Sequence, residues 1–136
     1  MDRNQRAVRA GTANERPVLV VEDDPDIGMM LETIFENEGF RVLRAWQGLD
    51  ALRIAAAESP GLLTLDLDLP DVSGQEVLHR LGQDPCLAHV PVVVLSAYSR
   101  RLRPTPQVVR VMDKPFDIDE LLSTTELALA ADDQAA

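Results

Sequence analysis

The chain predicts an α/β fold in three layers, a five-stranded parallel sheet doubly wound with helices on both faces. Three observations lead there. Short β-branched runs alternate five times with segments of helical period. The connections are short, so right-handed crossovers place helices on both sides of the sheet. Four of the runs stop abruptly at chemically active residues, Glu22-Asp23, Asp66, Ser96 and Lys114, as parallel strands do when they all point to one reactive edge. At 136 residues and 46% hydrophobic content, one domain with a sizeable core fits, without help from metals or disulfides.

In chain order, residues 1–16 are polar, carry Arg3, Arg6, Arg9 and Arg16, and read as a flexible basic arm. The run Val18-Leu19-Val20-Val21 suits a strand covered on both faces. Asp24-Pro25 then starts a helix, with Asp24 as N-cap and Pro25 where its missing N–H costs nothing. Ile27, Met30, Leu31, Ile34 and Phe35 give that helix its apolar positions, and Gly39 closes it. Residues 40–44 alternate enough for a second strand near a sheet edge, and residues 48–58 form an alanine-rich helix broken by Ser59-Pro60-Gly61.

Residues 62–65 are a buried strand opening at Asp66 into an acid, proline and glycine loop that reaches Gly74. Val77, Leu78 and Leu81 mark the next helix, which Gly82 to Pro85 end. Residues 90–95 form the fourth strand. Between residues 98 and 107, Pro104 and Pro106 interrupt any helix, so the fourth helix is short or distorted. Residues 108–112 are the last strand, and Ile118, Leu121, Leu122, Leu127 and Leu129 line a closing helix. The domain spans residues 17–131, with a tail at 132–136.

The strand exits bring Glu22, Asp23 and Asp66 close together, and three carboxylates in a partly buried site either hold a proton or bind a divalent cation. Hard oxygens favour Mg2+, which keeps waters and accepts a phosphate oxygen as a further ligand. Asp66 can attack phosphorus as a carboxylate nucleophile. Lys114 supplies a second positive charge, and the Ser96 hydroxyl can donate to the attached group. The net charge of −10 argues against nucleic acid or an anionic membrane as partner. With no apolar run at its start and one cysteine, Cys86, without a base beside it, the chain reads as cytoplasmic.

The ordered set Val20-Val21-Glu22-Asp23-Asp24-Pro25, Asp66-Leu67-Asp68-Leu69-Pro70 to Gly74, Pro91 to Ala97, and Lys114-Pro115-Phe116 resembles the receiver domain of response regulators. The resemblance implies a flavodoxin-like strand order 2-1-3-4-5 and a stand-alone phosphoacceptor in a two-component phosphorelay. Asp66 would then be phosphorylated by a sensor histidine kinase or a histidine phosphotransfer protein. Mg2+ would sit on Asp23, Asp66 and the backbone carbonyl of Asp68, with Glu22 acting through water. Ser96 would follow the phosphoryl group, the Lys114–Pro115 bond would be cis, and the protein would not be a turnover enzyme. A downstream protein partner is implied, to a monomer or a phosphorylation-dependent homodimer.

Three features depart from the family pattern: Glu22 stands where aspartate is usual, Val111 where an aromatic is usual, and the Ser96 to Lys114 interval is short. Output is therefore expected to use another surface than the usual one, the helix after Lys114. Two other readings stay open. A haloacid-dehalogenase-type phosphatase also uses Asp-x-Asp at a strand end, but Pro70 stands where that family has threonine or valine, and its motif lies on the first strand. A pseudo-receiver that is never phosphorylated is opposed by Asp66, Asp23 and Lys114. His79 and His89 read as surface or boundary residues, and Trp46 and Tyr98 are too few for a base-stacking platform. Arg100, Arg101 and Arg103 form a solvated loop or contact an acidic partner.

Overall fold

A computed structural model describes residues 16–97, 102, 103 and 105–135, the last four of these as helical backbone. Residues 1–15 of the basic arm lie outside the described residues, as do Tyr98, Arg100, Arg101 and Pro104. Five strands, β1 (Val18–Val21), β2 (Val42–Ala45), β3 (Leu62–Leu65), β4 (Val92–Ser96) and β5 (Val108–Asp113), form one parallel sheet in the order β2-β1-β3-β4-β5. The helices are α1 (Pro25–Asn37), α2 (Gly48–Glu58), α3 (Gly74–Gln83) and α4 (Ile118–Ala135).

Period-two alternation divides the strand side chains between two cores. Leu19, Val21, Leu63, Leu65, Val92 and Val94 pack with Ala51 and Ala55 of α2 and Val77, Leu78 and Leu81 of α3. Val18, Val20, Leu62, Val93 and Leu95 pack with Leu31 and Phe35 of α1 and Leu121 and Leu129 of α4. Burial on both faces explains why these runs are continuously apolar. The exceptions are the two edge strands: β2 is only partly buried over three of its four residues, and four of the six residues of β5 are exposed.

Local chemistry sets most boundaries. The Asp24 carboxylate accepts from the N–H groups of Asp26 (2.9 Å) and Ile27 (3.3 Å), with Pro25 opening α1. Ser73 caps α3 by accepting from the Glu76 N–H at 3.1 Å. β2 begins two residues later than the alternation suggests. Phe40 donates its N–H to the Phe35 carbonyl (3.1 Å) and packs edge-on against the Phe35 ring, so it closes α1 instead. β4 also starts late, because Pro91 has no N–H to give the ladder and the Val90 N–H bonds the Leu87 carbonyl at 3.1 Å.

Some expected core positions are corrected. Met30, Ile118 and Leu127 are exposed, Leu127 at 73%. The buried stripe of α4 is instead Leu121, Thr125 and Leu129, at i, i+4 and i+8. Thr125 tolerates burial because its hydroxyl donates to the Leu121 carbonyl at 2.9 Å. Gly82 lies inside α3, and α4 runs on through residues 132–135, past the expected end of the domain.

Among the described residues between β4 and β5 no helix forms. Gln75 of α3 holds the Arg103 backbone there, accepting its N–H at 2.8 Å and donating to its carbonyl at 3.0 Å. Gln107 donates to the Leu87 carbonyl at 2.7 Å. No helix among the described residues is long and apolar enough to cross a membrane.

Candidate functional site

The sheet ladder continues one residue past the strands and so sets the site residues in a row. The Glu22 N–H donates to the Ala45 carbonyl at 3.0 Å, the Asp66 N–H to Val21 at 3.1 Å, and the Lys114 N–H to Ser96 at 3.1 Å. Each functional side chain is thus fixed by backbone hydrogen bonds at the C-terminal edge of the sheet, where open α/β folds bind ligands.

There one carboxylate oxygen from each of Glu22, Asp23 and Asp66 lies within 4.8 Å of the other two. Glu22 and Asp66 are buried, at 2% and 5% exposure, while Asp23 faces solvent. The Lys114 ammonium enters from the far strand and stands 2.7 Å from Glu22 Oε1 and 3.5 Å from Asp66 Oδ2. Glu22 Oε2 also accepts the Asp24 N–H at 3.2 Å, and Asp66 Oδ1 accepts the Asp68 N–H at 3.1 Å. The turn after Asp66 is tightened further where the Gly74 N–H meets the Leu67 carbonyl at 2.9 Å. A Cβ at Gly74 would lie 2.6 Å from the Asp66 carbonyl oxygen and 2.7 Å from Leu67 Cα, so only glycine permits this approach.

Burial pushes the Glu22 carboxyl up to about 7, the Lys114 hydrogen bond opposes the rise, and the Asp66 charge adds to it. For Lys114 burial works against the charged form. The hydrogen bond it donates to Glu22 and the charges of Asp66 and Glu22 outweigh it, and the ammonium is held above its ordinary value. One ammonium against three clustered carboxylates leaves an excess of negative charge on hard oxygen donors. That donor set fits a divalent cation such as Mg2+.

The structure therefore brings together Glu22, Asp23, Asp66 and Lys114. Ser96 is fully buried at the end of β4, and its carbonyl is bonded to the Lys114 N–H. The exposed Asp68 follows Asp66 by two residues, and the carboxylate group of three does not include it. Lys114–Pro115 is cis. Val111 is 40% exposed on β5, and Cys86, His79 and His89 are all exposed and outside the group of three carboxylates. Glu22 pairs directly with Lys114.

Asp71 was not singled out by its sequence context. Its carboxylate accepts the N–H groups of Gly48 (2.8 Å) and Leu49 (2.9 Å), capping α2 across 23 residues of chain, because Gln47 at the cap position makes no side-chain bond. Those bonds, Leu49's foremost, stabilise the ionised form and hold its carboxyl below the ordinary aspartate value. An aspartate behind a proline is an ordinary turn residue, so no local signal points to this role.

Comparison with known proteins agrees with this geometry. Residues 18–126 match the sequence profile of the response regulator receiver domain. Protein Rrf1 of Nitratidesulfovibrio vulgaris is 34% identical over 113 residues, which are 83% of this chain and 82% of Rrf1. The polar-differentiation response regulator DivK of Brucella ovis is 34% identical over 86 residues, 63% of this chain and 70% of DivK. Among solved structures, a sensor protein from Polaromonas sp. JS666 matches with a TM-score of 0.79 at 30% identity, over 85% of this chain and 98% of its own. The receiver domain of a sensor histidine kinase from Pseudomonas aeruginosa, solved with a magnesium ion coordinated in its active site cleft, shares the fold. Its TM-score is 0.76 at 22% identity, over 85% of this chain and 98% of its own.

Proposed function

The chain belongs to the response-regulator receiver family of two-component signalling, and from that premise we propose that it is a phosphoacceptor switch whose modified residue is Asp66. The observation carrying this reading is the convergence of Glu22, Asp23 and Asp66 with the Lys114 ammonium at one sheet edge. An Asp66 oxygen attacks phosphorus of a phosphohistidine. The oxygen–phosphorus bond forms as the nitrogen–phosphorus bond breaks, and the imidazole leaves with the electron pair.

Lys114, released in part from Asp66 as that carboxylate becomes esterified, stays anchored by Glu22 and faces the new phosphoryl oxygens. The Ser96 hydroxyl is the donor for a phosphoryl oxygen. Mg2+ would be held by Asp23 and Asp66, with Glu22 beside them and the Asp68 backbone carbonyl as a further oxygen, and would neutralise charge on the transferring group. A magnesium-bearing member of the fold, the Pseudomonas aeruginosa domain, supports the choice of metal.

On this reading residues 17–131 form the receiver unit, working in the cytoplasm without turnover chemistry. It receives its phosphoryl group from a sensor histidine kinase or a phosphotransfer protein and signals to a downstream protein, as a monomer or a phosphorylation-dependent homodimer. The test is treatment with acetyl phosphate and Mg2+. Wild type should gain the mass of one phosphoryl group, and Asp66→Asn should not. Sustained turnover of p-nitrophenyl phosphate would instead favour a phosphatase of the haloacid-dehalogenase type. An unlabelled wild type would favour a pseudo-receiver.

A further inference from the structure

The rim of the acid pocket carries an apolar feature that phosphoryl transfer itself does not use. Trp46, the sole tryptophan, directly follows β2 and is 58% exposed. Its neighbour Ala45 pairs with Val21 and accepts the Glu22 N–H, so Trp46 stands beside Glu22 on the reactive edge of the sheet.

The ring is backed on one side by a charged group. The Arg44 guanidinium lies 5.8 Å from the ring centroid. Arg44 is itself fastened to Glu32 of α1 at 3.5 Å, and it crosses α1 at Gly28, where a Cβ would come within 2.4 Å of Nη2. Three residues further on is Leu49, 50% exposed, whose N–H is bonded to Asp71. Asp71 belongs to the loop that starts at Asp66. The Trp46 to Leu49 segment is therefore tied by hydrogen bonds to the loop bearing the reactive carboxylate. An open cavity of about 440 Å³ lies beside the ring, bounded by Gln47, Asp50, Arg53 and Ile54.

The Asp66 side chain is only 6% exposed, so a macromolecular donor reaches it by covering the surrounding rim. Trp46 and Leu49 are the large apolar side chains that this rim exposes on the β2–α2 side, and tryptophan and arginine are the residue types that most often dominate binding energy. The exposed acids Asp23, Asp24 and Asp26 follow β1, the strand paired with β2, in a chain of net charge −10. Resting on the phosphoacceptor reading, we infer that Trp46, backed by Arg44 and with the exposed Leu49 in the same loop segment, is the docking anchor for the protein that phosphorylates Asp66. The complementary surface is an apolar hollow beside the donor's phosphohistidine, rimmed by basic residues.

The experiment compares two donors on the full chain. One is acetyl phosphate with Mg2+, too small to touch the ring while at Asp66. The other is the set of autophosphorylated histidine kinases and phosphotransfer proteins of the source organism, screened for the fastest transfer to wild type. Trp46→Ala should lower the ratio of protein-donor rate to acetyl phosphate rate by at least about tenfold. Trp46→Phe should restore most of it, and Leu49→Ala should lose less. Leu127→Ala, an exposed apolar change on α4, should leave the ratio unchanged. An unchanged ratio in Trp46→Ala overturns the inference, as does a wild type labelled by acetyl phosphate but by no protein donor. A wild type that acetyl phosphate does not label overturns the phosphoacceptor reading instead.

Discussion

Replacing Glu22 by glutamine should make the metal-free protein gain stability relative to wild type as the pH rises, while weakening its hold on Mg2+. The Glu22 carboxyl, 2% exposed and beside Asp66, is pushed from 4.5 up to about 7 by burial, against the pull of Lys114. A carboxyl raised on folding favours the folded state below its unfolded value, and that benefit disappears as the pH rises through the folded value. Between 4.5 and about 7, at about 1.4 kcal/mol per pH unit, the loss comes to about 3 kcal/mol.

Glutamine keeps one oxygen for Lys114 but sets its NH2 where Oε2 accepts the Asp24 N–H, a loss that does not vary with pH, and it carries no charge to titrate. Relative to wild type, Glu22→Gln should therefore gain about 3 kcal/mol as conditions move from below 4.5 to about pH 8. For 136 residues the unfolding entropy is about 0.3 kcal/mol/K, so the gain reads as roughly 10 °C in Tm. The assay is thermal unfolding of both proteins across that pH range, with and without Mg2+. Added Mg2+ should raise the wild-type Tm more than that of Glu22→Gln at the higher pH. A stability difference that does not change with pH would refute the argument, because it would mean that Glu22 does not titrate where its burial requires.

Three further outcomes follow from particular contacts. Gly74→Ala places a Cβ 2.6 Å from the Asp66 carbonyl oxygen and 2.7 Å from Leu67 Cα. Backbone cannot swing aside, so urea unfolding should show a loss of about 1–3 kcal/mol, together with slower labelling of Asp66. Asp71→Ala removes both caps from α2 and should lower Tm at neutral pH. Because folding lowers the pKa of Asp71, its contribution is present above 3.8 and lost as the pH falls through its folded value, so the Tm gap to wild type should close there. Gln75→Ala frees the Arg103 N–H, which Gln75 Oε1 accepts at 2.8 Å, and hydrogen exchange at that amide should quicken markedly while the strand amides of β4 stay protected.

Much of the fold was legible because the signals that set it are local. Asp24-Pro25 announces a helix start, and the buried runs ending at Val21, Leu65 and Ser96 need only period and neighbours to be read as central strands. The same holds for the site. A parallel sheet aligns its strand ends, so residues just past β1, β3, β4 and β5 had to share an edge. Where β2 and β4 begin was less legible, since Phe40 and Val90 look like strand residues until their N–H groups are found bonded to Phe35 and Leu87.

By itself, then, the order of residues determined the layers, the strand exits and the acids and lysine that gather there, because these depend on spacings within one element and on a topology rule. Tertiary structure alone decided that Lys114 leans on Glu22 more closely than on Asp66, that Asp71 caps a helix belonging to another part of the chain, and that Thr125 rather than Leu127 faces the core. Those outcomes turn on distances and packing angles between groups far apart in sequence, which no periodicity encodes.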